Sequence, residues 1–127
     1  MSDTIKKCLP HSHSENETWL MENMPDIQTV TTVAEAMKQL GDPSRLRIFW
    51  LLCHCEECVI NIAAATEMSS PAVSHHLRLL KSAGLIVSKR NGKEMYYKAA
   101  DSEIAEKLHH TIEEIAMISC PEKHVHF

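Results

Sequence analysis

"SPAVSHHLRLLKSAGLIVSKRNGKEMYYKAAD", residues 70–101, sets a helical pattern directly against a strand pattern, and that junction decides the fold. Its first half places Val73, Leu77 and Leu80 at i, i+4, i+7, the buried stripe of a helix with Pro71 in its first turn and Gly84 at its end. Ser74, Arg78 and Lys81 repeat the spacing on another face, so one side packs while the other can touch a partner. The second half reads as two short strands, "LIVSKR" and "KEMYYKA", separated by "NG", the strongest short hairpin signal. Such a hairpin carries Lys89, Arg90 and Lys93 at its tip.

Upstream, "MSS" marks a tight turn and "CVINIAAATEM" a short helix before it. "PSRLRIFWLL" predicts a further helix, with Asp42 as N-cap, Pro43 at N1, and Leu46, Phe49, Trp50 and Leu52 facing inward. In "IQTVTTVAEAMKQLGDPSR", Val30, Val33, Ala34, Met37 and Leu40 fall at helical spacing before a stop at Gly41. Downstream, "DSEIAEKLHHTIEEIAMIS" carries Ile104, Leu108, Ile112 and Ile115 as an apolar stripe with no element left for it to pack on within the chain, which predicts a homodimer. Residues 1–26 lack sustained periodicity and read as a mobile arm, in which "ETWLMENM" can form a short helix presenting Trp19 and Leu20. The expected organisation is an arm (1–26), a dimer domain (27–119) and a Cys/His tail (120–127). Helix, tight turn, helix and basic hairpin, in that order, make the domain mainly α with a β-hairpin wing: a dimeric winged helix-turn-helix.

The net charge of −4 over 127 residues hides a strong asymmetry. Residues 69–98 hold six Lys/Arg against one acid, whereas the remainder holds seven against sixteen. A basic segment inside an acidic protein fits a nucleic-acid reader. The second helix of the pair fits the major groove, about 12 Å wide, and the wing tip reaches phosphates. Ser70, Ser74, His75, Arg78 and Lys81 are the helix candidates and Lys89, Arg90 and Lys93 those of the wing, with Arg78 best suited to bidentate contact with a base. The same architecture also serves as a protein-interaction module, in which bound zinc would be only structural.

Five cysteines, an odd number, and a polar opening "MSDTIKKCLPHSHSENE" without a signal-like apolar run favour a reducing cytoplasm over a disulfide framework. No stretch approaches the ~20 apolar residues of a membrane span. Three glycines, none in a phosphate-binding loop, and no nucleophile motif argue against an enzyme.

"LGDPSRLRIFWLL", "ECVINIA" and "SPAVSHHLRLLKSAGLIVSKRNGKEMYYKAAD" resemble the ArsR/SmtB family of dimeric metal-sensing repressors over roughly Val33 to Ala116. The resemblance implies a homodimer that binds operator DNA when metal-free, represses a metal-efflux or detoxification gene, and releases DNA on binding metal. Members that sense zinc, cadmium or lead near this helix carry "ELCVCD" or "ELCVGD", completed by Cys/His ligands from the other subunit's arm. Here "EECVIN" keeps Cys58 but has Ile60 and Asn61 at the variable positions.

Compensating donors lie close by: Cys53 and Cys55 upstream, and Cys8, His11 and His13 in the arm, from which a tetrahedral thiolate–imidazole set can be assembled. The roughly twenty residues after Cys8 can extend ~60 Å, enough to cross a dimer. Cys55 and Cys58 precede a helix N-terminus, a position that lowers thiol pKa; Cys53 is either a ligand or a small buried apolar residue. His54 reads as an exposed loop residue. A second metal site can draw on Asp101, His110, Cys120, His124 and His126, although His109 and His110 also fit a solvated helix face and the tail a frayed terminus. In the family's last-helix site Asp101 matches, but Glu103, Glu114 and Met117 stand where other ligands would be. Thiolate and imidazole donors select Zn(II), Cd(II) or Pb(II), with Cu(I) also within their chemistry. A thiol redox or persulfide switch at Cys53, Cys55, Cys58 or Cys120 is the alternative on the same scaffold.

Overall fold

The computed structural model describes residues 9–118, and the chain divides into two compact units after Thr32. In the first unit, "ETWLMEN" forms helix α1 (Glu17–Asn23), which leaves Trp19 60% exposed and Leu20 44% exposed. Helix α2 (Ile27–Gln39) spans the division and ends before Gly41.

In the second unit α3 (Pro43–Leu52) precedes the helical pair; the Asp42 carboxylate accepts from the Arg45 N–H at 3.0 Å and Pro43 occupies N1. After strand β1 (Glu57–Cys58) comes α4 (Val59–Thr66), closed by Glu67 in the left-handed region. Ser69 caps α5 (Ser70–Ser82) by accepting from the Ala72 N–H. Strands β2 (Ile86–Asn91) and β3 (Glu94–Ala99) form the wing, and Ser102 caps α6 (Glu103–Ala116) in the same way.

The helices meet on one core. Ile48, Phe49 and Leu52 of α3, Ile62 of α4, Val73, Leu77 and Leu80 of α5, and Leu85 and Ile86 entering β2 are all essentially inaccessible. Each such side chain contributes about 1.5–3 kcal/mol on burial. The α5 stripe is therefore buried as its spacing predicts, and Ser74, Arg78 and Lys81 lie on its exposed side.

Three features depart from the sequence reading. The hairpin closes one residue later than "NG" suggests: Asn91 pairs with Glu94, so Gly92 and Lys93 form the loop, with Gly92 at φ 70°. Glycine at the first central position is the requirement of a type II′ turn, which matches the twist of the flanking strands. The sheet also has a third strand, since Glu57 and Cys58 pair antiparallel with Tyr97 and Tyr96, giving the order β1-β3-β2.

The α6 stripe, expected to find nothing within its own chain, is divided. Ile104, Leu108 and Ile112 pack partly on the core around buried Ala105, whereas Ile115 is 77% exposed. On α2 the buried residues are Ala36 and Gln39, with Leu40 buried just beyond its end, leaving Val33 and Met37 outside. Together, Val33, Met37, Ile104 and Leu108 line an open apolar cleft between α2 and α6. Among the described residues no helix is long and apolar enough to cross a membrane.

Candidate nucleic-acid interface and metal centre

Helix α5 is held by its neighbours rather than by its exposed face. Arg45 is the bracket: its Nε donates to the Gln39 carbonyl at 2.8 Å and one terminal nitrogen lies 3.3 Å from His76 Nδ1 on α5. Burial is the main cause holding His76 below the ordinary imidazole value of 6.5, with the Arg45 charge acting in the same direction and Asp42 opposing both. A neutral His76 offers Nδ1 as an acceptor to the guanidinium, so the turn before α3 is tied to the helix that would read DNA. Arg47 reaches the Thr66 carbonyl at 3.5 Å, near the end of α4.

On the outer side, Ser70, Ser74, His75, Arg78 and Lys81 are all exposed, as are Lys89, Arg90 and Lys93 in the wing. Lys81 Nζ donates to Ser88 Oγ at 2.7 Å, joining the helix face to the wing face. The predicted basic residues are thus all exposed: Lys81 is tied to β2 through Ser88, Lys89 and Arg90 lie on opposite faces of that strand, and Lys93 sits at the hairpin turn. Polar donors on a helix beside a cationic ribbon can hydrogen-bond base edges and neutralise phosphates.

The expected metal ligands are distributed differently. Cys8, Cys120, His124 and His126 lie outside the described residues. His11 and His13 are exposed, with their rings stacked at 5.7 Å. Cys58 is buried at the N-terminus of α4, and Cys53, at the C-terminus of α3, is partly buried. The Cys55 thiol donates to the Leu51 carbonyl at 3.4 Å. Burial and then the Glu57 charge push this thiol up, which corrects the expectation of a thiol pKa lowered by the helix N-terminus. The three cysteines do not assemble with one another into a ligand group among the described residues. Asp101 and His110 are exposed, and the His110 ring stacks on His109 at 5.5 Å.

His54 and His109 overturn the readings given to them. Neither is a solvated surface histidine: their side chains are 15% and 13% exposed and converge on Glu113, itself buried. His54 Nε2 lies 2.8 Å and His109 Nε2 2.9 Å from Glu113 Oε2, and the two ring nitrogens are 3.1 Å apart. Trp50 Nε1 donates to the same oxygen at 2.9 Å, and its ring lies 4.5 Å from that of His54. Among the described residues this is the group of three ligand atoms close enough together to hold a metal ion. Two imidazoles and a carboxylate suit a borderline divalent ion such as Zn(II). The signal available in sequence was His109 and Glu113 at i, i+4 on one helix face, but His54 joins them only through folding.

Comparison with known proteins places residues 42–88 in the pattern of "Bacterial regulatory protein, arsR family". A transcriptional repressor SmtB homologue of Synechocystis is 37% identical over 95 residues, covering 75% of this chain and 72% of its own. A cadmium resistance regulatory protein CadC homologue of Staphylococcus aureus is 37% identical over 78 residues, covering 61% of this chain and 64% of its own. Among solved structures, the homodimeric winged helix-turn-helix DNA-binding domain from Mycobacterium bovis superposes with a TM-score of 0.65 at 32% identity, covering 75% of this chain and 90% of that one.

Proposed function

The chain belongs to the ArsR/SmtB family of bacterial regulatory proteins, and from that membership we propose that it is a homodimeric repressor that holds operator DNA when metal-free and releases it when Zn(II), Cd(II) or Pb(II) binds. The genes it would control are those of metal efflux or detoxification. The observation that carries the DNA reading is the exposure of Ser74, Arg78 and Lys81 on α5, with Lys81 tied through Ser88 to the wing that carries exposed Lys89, Arg90 and Lys93.

In this reading α5 enters the major groove and Arg78 selects bases, while the wing cations hold backbone phosphates. Two copies related by a two-fold axis require an imperfect palindrome with half-sites about one helical turn apart or a multiple of it. The faces of α2 and α6 that a single chain leaves uncovered, Val33, Met37 and Ile115, supply apolar surface for the second copy. The matched Mycobacterium bovis domain is a homodimer, and the CadC homologue is a cadmium resistance regulator, which supports both parts of the proposal.

For the effector, Cys58 and Cys55 on one protomer, with Cys8 and His11 or His13 from the other's arm, are the thiolate–imidazole donors we assign to Cd(II) or Zn(II), with Cys53 as a further candidate. Metal must displace the Cys55 proton, so uptake there strengthens as pH rises. Selection of bound duplexes from a random pool is the test. The wild type should enrich a palindrome, and Arg78→Ala should lose base preference at one position of each half-site. Enrichment of the same palindrome by the variant, or of none by the wild type, overturns the assignment.

A further inference from the structure

We propose that His54, His109 and Glu113 form a binding site for a zinc-class divalent cation within each protomer, using neither a thiolate nor the N-terminal arm. The three ligand atoms make a nearly equilateral triangle with edges of 2.8, 2.9 and 3.1 Å. Zinc bonds of about 2.0–2.1 Å in a tetrahedron separate adjacent ligand atoms by roughly 3.3 Å, so small outward movements convert the triangle into one face of that polyhedron. Among the described residues no fourth ligand atom joins the three, a position that water takes in zinc sites with three protein ligands.

With Glu113 ionised, no placement of protons satisfies this arrangement. If both Nε2 atoms carry hydrogens for Glu113 Oε2, the ring nitrogens confront each other as two donors at 3.1 Å. If one gives up its hydrogen, its lone pair faces the carboxylate oxygen instead, unless Glu113 itself takes the proton. A cation accepts all three lone pairs at once and offsets the charge of a buried carboxylate.

The site is also built in advance. His109 and Glu113 sit one turn apart on α6, and His54 is fixed just beyond α3 by its N–H donating to the Leu51 carbonyl at 3.0 Å. Trp50 Nε1 orients the carboxylate, the outer hydrogen bond that ligating carboxylates commonly have. A cation here ties the segment just beyond α3, which shares its core with α5, to α6, the helix with an exposed apolar end.

The test is zinc binding without DNA, which separates it from the repressor reading. Competition against a chromogenic chelator should show His109→Gln and Glu113→Gln losing one zinc equivalent per protomer or weakening it at least about tenfold, the lower end of the effect of removing even outer partners. Cys55→Ser should retain that equivalent. Zinc affinity and stoichiometry unchanged in both His109→Gln and Glu113→Gln would overturn the proposal. Long-range proton–nitrogen spectra of the wild-type imidazoles serve even where a variant fails to fold. Zinc should move the Nε2 resonances of His54 and His109, and their invariance in zinc-saturated protein would also overturn it.

Discussion

Replacing Lys93 by alanine should change the salt dependence of DNA binding more than any feature of the fold. Lys93 follows Gly92 in the hairpin loop, is exposed, and has no left-handed φ that alanine would strain. A homodimer loses two such cations. Each phosphate contact adds about −0.9 to the slope of log affinity against log salt, so the double loss should flatten that slope by about 1.8. Between about 50 and 200 mM salt, the wild type should therefore lose roughly twelvefold more affinity than the variant. Anisotropy of a labelled operator duplex across that range measures the effect. Lys107→Ala removes a cation from α6, where Lys107 lies 3.7 Å from Glu103, and should leave the slope unchanged. Equal slopes for Lys93→Ala and wild type would refute phosphate contact by the wing, and equal flattening by Lys107→Ala would reduce the effect to net charge.

Ile115→Asp should convert the dimer to monomer in sedimentation without loss of helical signal, because Ile115 is 77% exposed and leaves no hole in the core; an unchanged dimer would move the interface off this end of α6. Asp42→Ala removes the N-cap of α3 and should cost about 1 kcal/mol, read as a lower urea midpoint at unchanged m-value. His76 is held below its ordinary 6.5 in the folded chain, so the unfolded chain takes up the proton first. Its contribution is intact above pH 6.5 and is lost as pH falls through that value toward the folded pKa, so His76→Gln should flatten acid destabilisation over this window in thermal melts.

The legible parts of the fold were those in which one element carries its own pattern. Helix α5 declares itself because Val73, Leu77 and Leu80 form an uninterrupted stripe and Ser69 and Pro71 mark its start. The exposed polar set Ser74, Arg78 and Lys81 followed from the opposite side of the same helix. Strand β1 was not legible, since two residues are too short for an alternating pattern and Glu57–Cys58 becomes a strand only by pairing with β3. The hairpin signal identified the turn but not its register, which the pairing of Asn91 with Glu94 decided. In α6, the periodicity located an apolar stripe without showing that Ile104, Leu108 and Ile112 would meet the core while Ile115 would not.

The metal candidates show the same limit more sharply. Spacing drew attention to "CHCEEC", where thiols are close in sequence, yet the convergent group uses only His54 from that stretch. His54 and His109 lie 55 residues apart, and polar side chains on a helix read as solvated unless an opposing element is known to cover them. Trp50 supplied no hint either, because its indole N–H finds Glu113 only after α3 and α6 have packed.

The most direct measurement of the central claim is the operator affinity of one reduced protein preparation with and without saturating Zn(II) or Cd(II), at fixed salt and protein concentration. Coupling between two sites on one protein is typically 1–3 kcal/mol and acts equally in both directions. Metal should therefore weaken operator binding by about 5- to 150-fold, and saturating operator should weaken metal binding by the same factor. An operator affinity that metal leaves unchanged, or raises, would contradict a repressor released by metal.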